Sequence, residues 1–237
     1  MGNTIVLGIQ ARSTSERLPQ KAHAMLAGER MLDRVLVACK RAAASLNKQN
    51  HIKARIAIAC PKGDKIARDW SGACTIIEGS EPDVLSRYVI LQQQMTPDYI
   101  VRVTGDCPLL PPHVITGHVH LAVQNGYDYI SNVDERWRTT IDGTDCEVIS
   151  SRMLSWLNDL ATRPEDREHV TTLARRSPPD WAKVATTITT FDMSHLKYSV
   201  DTPEDLKRAQ DAFERASERY ALACRTIGQM RVHRLFG

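Results

Sequence analysis

Apolar residues arrive in two rhythms that take turns along the first half of the chain. Ile5-Val-Leu-Gly-Ile9 is a short continuous apolar run that ends in Gln10-Ala-Arg12, which predicts a buried first strand. A polar, basic loop follows. Apolar residues then recur at Leu32, Val35, Leu36, Cys39, Ala42, Ala43 and Leu46, one face of an amphipathic helix. Arg55–Cys60 reads as a second strand stopped by Pro61, and Thr75–Ile77 as a short third stopped by Gly79. Pro82 to about Gln94 reads as a helix with Asp83 in its first turn, where the helix dipole favours a carboxylate. Tyr99–Val103 is a fourth strand, cut by Gly105. Pro111-Pro112 opens a helix with Val114, Ile115, His118, Val119 and Ala122 on one side, and Tyr127–Ile130 reads as another strand. This alternation predicts an α/β fold whose mostly parallel sheet is covered on both faces.

Near Trp137 the rhythm changes. Thr139–Ser150, with Asp142-Gly143 at its turn, reads as a hairpin, and helical stretches follow near Ser151–Ala161 and Pro164–Arg175. Lys183–Phe191 and Leu196–Val200 return to strand character. Thr202-Pro-Glu-Asp205 is a helix start with Thr202 as N-cap and Asp205 as the reciprocal acid, and the helix is expected to run on to Tyr220. The expected layout is one α/β domain over 1–217, carrying a small hairpin-helix lobe at about 137–185. A C-terminal extension over 218–237 carries Arg219, Arg225, Arg231 and Arg234 and reads as a dimer-side extension or a basic tail, with a solvated tail the expectation.

Composition changes this picture mainly by exclusion. The 31 Lys+Arg and 28 Asp+Glu leave a formal charge of +3, too balanced to predict nucleic-acid binding. No run of 18 apolar residues exists, so no membrane span is expected, and the first residues lack the features of a signal peptide. The 6 cysteines have long irregular spacings with no C-x-x-C pair, so reduced thiols and a cytoplasmic setting are expected.

Two kinds of chemistry stand at predicted strand ends. The loop Gln10–Lys21 offers the fixed cations Arg12, Arg17 and Lys21 with the hydroxyls of Ser13, Thr14 and Ser15. It leaves the carboxyl end of the first strand, where open α/β sheets bind ligands, and guanidinium forks pair with phosphate oxygens. It lacks the glycine spacing of a Walker loop. Asp106, in Arg102-Val-Thr-Gly-Asp-Cys-Pro108, and Asp201, in Tyr198-Ser-Val-Asp-Thr202, each follow a strand end. Taken singly, each reads as a helix or turn cap. Two carboxylates beside a basic loop read as a magnesium-nucleotide site, because Mg²⁺ takes one or two carboxylates and completes its shell with phosphate and water.

The segments QARSTSERLPQK, EPDVLSRY, RVTGDCPLL, DGTDCEV, DREHVT and SVDTPEDL occur in an order that resembles cytidylyltransferases of the spore-coat-polysaccharide type. These are relatives of the acylneuraminate and 3-deoxy-manno-octulosonate cytidylyltransferases, and the resemblance covers roughly the first 210 residues. It implies a sheet of the nucleotide-diphospho-sugar transferase type. The implied reaction is transfer of CMP from CTP to an acidic sugar or phosphorylated acceptor, with Mg²⁺ and release of pyrophosphate, by a homodimer. By position, Arg12, Ser15, Arg17 and Lys21 match the CTP-phosphate loop, and Asp106 and Asp201 match the metal ligands. Gln10, Ala11, Thr104 and Gly105 complete the nucleotide-binding set, and Arg12, Arg17, Lys21 and Asp106 are the implied catalytic residues. Asp142, Asp145, Glu147, Arg167, Glu168 and His169 line up with the acceptor region. The chain departs from the family at Thr14 and Gln20, where glycines are usual, and at Ser86, where Asp is usual. Two alternatives share this logic: a nucleotidyltransferase using another NTP on a sugar 1-phosphate, and a non-catalytic nucleotide-binding relative.

Overall fold

The protein is described by a computed structural model, which covers residues 2–215 and the backbone of Arg231–Arg234. In chain order the elements are β1 (Asn3–Gln10), β2 (Met25–Leu26), β3 (Glu29–Arg30), α1 (Met31–Leu46), β4 (Ile52–Pro61), α2 (Lys65–Trp70) and β5 (Thr75–Gly79). There follow α3 (Val84–Met95), β6 (Tyr99–Thr104), α4 (Pro112–Asn125), β7 (Tyr129–Ser131), β8 (Glu147–Ser150) and α5 (Ser151–Leu160). The chain continues through α6 (Pro164–Glu168), α7 (Thr172–Arg176), β9 (Val184–Ile188), α8 (Pro203–Arg215) and β10 (Arg231–Arg234). No described helix is long and apolar enough to cross a membrane.

Eight strands form one sheet in the order β10-β9-β7-β8-β6-β1-β4-β5. β1 lies between β4 and β6, parallel to both, so three strand ends converge where the Gln10–Lys21 loop departs. The pleat sends alternate β1 side chains to opposite layers: Ile5, Leu7 and Ile9 face a core shared with α1 and α4, while Val6 faces a core shared with α3 and α5. Each fully buried Leu or Ile contributes about 1.5–3 kcal/mol of transfer free energy. Gly8 leaves room on the α3 side, where the Tyr88 hydroxyl donates to its carbonyl at 3.1 Å. The apolar faces expected from helical spacing are the buried faces of α1 and α4. α8 opens on the expected reciprocal cap: the Asp205 N–H donates to Thr202 Oγ1 and the Thr202 N–H to Asp205 Oδ2, both at 3.1 Å.

The expected hairpin over Thr139–Ser150 is not what forms. Glu147–Ser150 inserts antiparallel between β6 and β7, at the middle of the sheet, so this part of the 137–185 stretch is built into the sheet rather than standing off as a lobe. The turn at Asp142-Gly143 is real, with Gly143 at φ 101°, but its partner is distant in sequence. The Asp142 carbonyl accepts from the N–H groups of Tyr198 and Ser199 at 2.6 and 3.2 Å. Leu196–Val200 correspondingly contributes one bridge, Asp142 to Lys197, instead of a strand. The helix expected over Pro164–Arg175 breaks into α6 and α7 at Val170, a buried β-branched residue at φ 61°. α2 and the small β2–β3 ribbon had no counterpart in the sequence reading. Arg231–Arg234 pairs antiparallel with β9, so this part of the expected solvated tail is an edge strand. The predicted continuation of α8 to Tyr220, and Arg219 and Arg225, lie outside the described residues.

A Cβ on residue 143 would lie 2.4 Å from the Ser199 nitrogen. Gly143→Ala therefore combines a strained φ with a backbone clash and is expected to lower stability by about 3 kcal/mol in urea unfolding. An unchanged denaturation midpoint would contradict this account of the turn.

Candidate active site

The carboxyl ends of β1 and β6 open into a cleft of about 1050 Å³. Gln10 and Ala11 at its floor are the last residue of β1 and the one after it. Arg12, Ser15, Arg17 and Lys21 from the loop line it, together with Thr104, Gly105 and Asp106 at the end of β6 and Asp201 just before α8. The cleft thus brings together the nucleotide, metal and catalytic residues expected from sequence. Gly105 is needed here because a Cβ would come within 3.1 Å of the Gln10 carbonyl oxygen.

The centre of the cleft is an ammonium shared by two acids. Lys21 Nζ lies 3.2 Å from Asp106 Oδ2 and 3.0 Å from Asp201 Oδ1. Arg17 reaches the same Asp201 oxygen at 3.3 Å. Burial opposes the Lys21 charge, but the two carboxylates outweigh it and raise its pKa. Burial likewise works against an ionised Asp106, yet Lys21 and the Thr104 hydroxyl hold its pKa below the usual carboxylate range. Lys21 is set in place by a single 3₁₀ turn, Lys21–His23, entered through Gln20 at φ 54°. That left-handed backbone accounts for the glycine usual at this position in the family this chain resembles. At the other departure, the Thr14 hydroxyl donates to Glu81 at 2.6 Å, and Glu81 in turn lies 3.9 Å from Arg12. Ser86, at the third, donates its hydroxyl to the Asp83 carbonyl at 2.7 Å inside the first turn of α3.

The six residues expected on the acceptor side are separated, and Glu168 is one that lines the cleft. His169 lines the cleft, carried there by the break at Val170. Arg167 does not: its Nε donates to Asp83 at 2.7 Å, and the rest of its guanidinium caps carbonyls at the end of α5, tying α6 to α3. Asp145 accepts from Arg138 at 2.5 Å, with Asp142 3.7 Å from the same guanidinium. Burial pushes the Asp145 carboxyl up to about 6. Glu147 is 2% exposed and lies beneath the cleft. It takes hydrogen bonds from Tyr129, Thr171, Arg102 and Arg175. Burial disfavours its charge, but Arg102 and Arg175 more than compensate and depress its pKa. Arg102 then donates to Gln10 Oε1 at 2.8 Å, so a buried ion pair fixes a side chain of the cleft floor. Sequence reasoning did not select Arg102, Glu81 or Arg87, all of which line the cleft. The available signal for Arg102 was a cation in the middle of an otherwise apolar strand, which requires a buried partner.

Cys107, beside Asp106, has its thiol pKa pushed well up by burial and then by Asp106 and Asp145, so it is held as an unreactive thiol.

The profile of the cytidylyltransferase family matches residues 6–232. The chain belongs to the cytidylyltransferase family, and with it to the CTP-dependent nucleotidyltransferases. It is 28% identical over 221 residues to the spore coat polysaccharide biosynthesis protein SpsF of Bacillus subtilis (strain 168), covering 92% of this chain and 89% of that one. Its fold is similar to that of a cytidylyltransferase from Leptospira borgpetersenii serovar Hardjo-bovis, with a TM-score of 0.80, 22% identity, and coverage of 96% of this chain and 94% of that one. It is also similar in fold to a CMP:2-keto-3-deoxy-manno-octonic acid synthetase complexed with CTP, at a TM-score of 0.64 and 14% identity over 90% of this chain and 99% of that one.

Glu147→Gln keeps the shape but leaves Arg102 buried without its anion, and is expected to cost about 3–5 kcal/mol. Because the folded pKa of Glu147 lies below its ordinary value of 4.5, the pair stabilises the fold above that value and is lost as pH falls through the lower folded one. Melting curves should therefore show the largest gap between wild type and variant at neutral pH and a narrowing gap below about pH 4. A gap that widened on acidification would contradict the pairing.

Proposed function

We propose that this cytidylyltransferase moves CMP from CTP to a small acidic or phosphorylated acceptor, releasing pyrophosphate, with Mg²⁺ held by Asp106 and Asp201. The observation that carries this reading is the single cation, Lys21 Nζ, within 3.2 Å of both carboxylates. Two carboxylates that share one ammonium are close enough to share one divalent ion, and their hard oxygens suit magnesium. Among the described residues no three or more His, Cys, Asp and Glu side chains form a complete protein cage for a metal. A two-carboxylate site takes its remaining oxygens from phosphate and water, as a nucleotide site does. When bound there, the ion supplies positive charge to the phosphate chain.

The chain's own residues supply the rest. Arg12 and Arg17, half to two-thirds exposed on the loop, meet the incoming triphosphate and pair with its oxygens. With the nucleotide in place, Lys21 neutralises charge that builds on the pyrophosphate leaving group, and its raised pKa keeps it protonated for that role. Gln10, held by Arg102, and the close backbone at Gly105 shape the floor on which the ribose and α-phosphate rest. The acceptor approaches from the side of Glu168 and His169, and its oxygen attacks the α-phosphorus in line while the α–β phosphoanhydride bond breaks. Positioning and electrostatics carry such a transfer, and no protein nucleophile is needed. The cleft volume of about 1050 Å³ is at the upper end of small-molecule sites, which favours a nucleotide and a second small substrate together. Its cations favour an anionic acceptor.

Asp106→Asn is expected to retain the fold and to lower pyrophosphate release from CTP by about a thousandfold or more in the presence of an active acceptor, found by screening acidic sugars and phosphorylated small molecules. Turnover equal to wild type would remove Asp106 from the site.

A further inference from the structure

Arg87 is a buried cation for which the protein provides no anion. It is 1% exposed, yet it lines the cleft. Its Nη1 donates to the carbonyl of Ala59 at 3.1 Å, and its Nε is buried with no partner. No carboxylate pairs with it among the described residues. Glu81, the nearest acid on the cleft rim, is engaged by Thr14 and Arg12. Two partly buried guanidinium groups of this region are treated differently: Arg102 and Arg175 both close on Glu147. Burying a guanidinium beside a lone carbonyl is unfavourable unless something else completes it. The fold nonetheless commits to the arrangement, since Gly79 lacks the Cβ that would lie 2.8 Å from Arg87 Cγ.

The position of Arg87 says what completes it. The carbonyl it grips also accepts the N–H of Ala11, so the guanidinium sits at the carboxyl end of β4, on one side of β1. Asp106 and Asp201 lie on the other side of β1, beyond β6. A nucleotide whose phosphates lie over Lys21 and the two aspartates therefore extends its base toward β4. Of the pyrimidines, cytosine presents two adjacent acceptors, N3 and O2, on one edge. Uracil presents an N–H at N3, which would meet a guanidinium donor against donor.

On the CTP reading above, we infer that Arg87 is the specificity-determining residue that donates to the N3/O2 edge of the cytosine base. The unmet donor capacity is then explained, because the guanidinium is kept for acceptors that only the substrate brings. Burial, which lowers the Arg87 pKa, also strengthens the hydrogen bond once the base excludes water.

The test compares wild type with Arg87→Met and Arg87→Lys, by calorimetry with CTP, UTP and inorganic tripolyphosphate in the presence of Mg²⁺, and by thermal melting. Arg87→Met is expected to bind CTP about 10- to 100-fold more weakly, to lose most of the preference for CTP over UTP, and to bind tripolyphosphate as wild type does. Its melting temperature should be equal or higher, since an apolar side chain of similar length removes an unpaired buried charge. Arg87→Lys, which keeps a donor but not the fork, should fall between the two in CTP affinity and carries the same comparison if the methionine variant fails to fold. Equal weakening of CTP and tripolyphosphate would assign Arg87 to the phosphates and overturn the inference, as would unchanged CTP affinity with a lowered melting temperature. A wild-type protein that binds tripolyphosphate but not CTP would instead overturn the CTP reading itself.

Discussion

Lys21 touches carboxylates 85 and 180 residues further along the chain, and this contact joins three separate segments in one place. The loop after β1, the end of β6 and the approach to α8 have no local reason to meet. They meet because β1 runs parallel beside β6, and because the Val200 N–H donates to the Asp106 carbonyl at 2.9 Å, bringing the chain back across the sheet end. An ammonium between two acids offsets their mutual repulsion, so the acids can face one cleft without unfolding it. The same geometry lets a second cation compete for them. The interaction that makes the cleft stable in the free protein is thus the one a nucleotide and its ion would rearrange.

Around this centre, charge is buried in two ways that have opposite consequences. Glu147 is surrounded by donors and closes on two arginines, which makes it part of the scaffold: through Arg102 it fixes Gln10, and through Thr171 and Arg175 it holds the segment that carries His169. Arg87 is buried with far less: one carbonyl accepts from it, and its Nε has no partner. A satisfied buried network rigidifies; an unsatisfied group marks a place where a ligand finishes the structure. The two flank the same β1 end, one beneath the floor and one at the rim.

Much of this was legible in the sequence, for identifiable reasons. The faces of α1 and α4 follow from apolar spacing because each helix packs one side against a flat sheet. The Thr202–Asp205 cap is local chemistry and needs no tertiary knowledge. The loop cations and Asp106 were legible because open α/β sheets bind ligands at that edge, whereas Asp201 stands before α8 rather than at the strand end expected for it. The rest depends on contacts that leave no local trace. Glu147–Ser150 is buried throughout, so it lacks the alternation that distinguishes a central strand from a hairpin arm, and the nearby Asp-Gly turn invited the wrong partner. The break at Val170 is hidden because valine gives no sign of a left-handed backbone, yet it decides that His169 enters the cleft while Arg167 turns to Asp83. Pairing Arg102 with Glu147 required knowing that β8 lies beside β6, where the two residues are opposite one another.

On the proposed reading, Asp106 and Asp201 jointly receive the metal of a bound nucleotide. A crystal structure of the protein grown with CTP and Mn²⁺, read by anomalous scattering at the manganese edge, tests this most directly. The expected result is a manganese peak within about 2.3 Å of one oxygen from each carboxylate, with Lys21 shifted onto a phosphate oxygen. Manganese bound elsewhere on the protein, with Lys21 still bridging the two acids and the nucleotide outside the cleft, would contradict it.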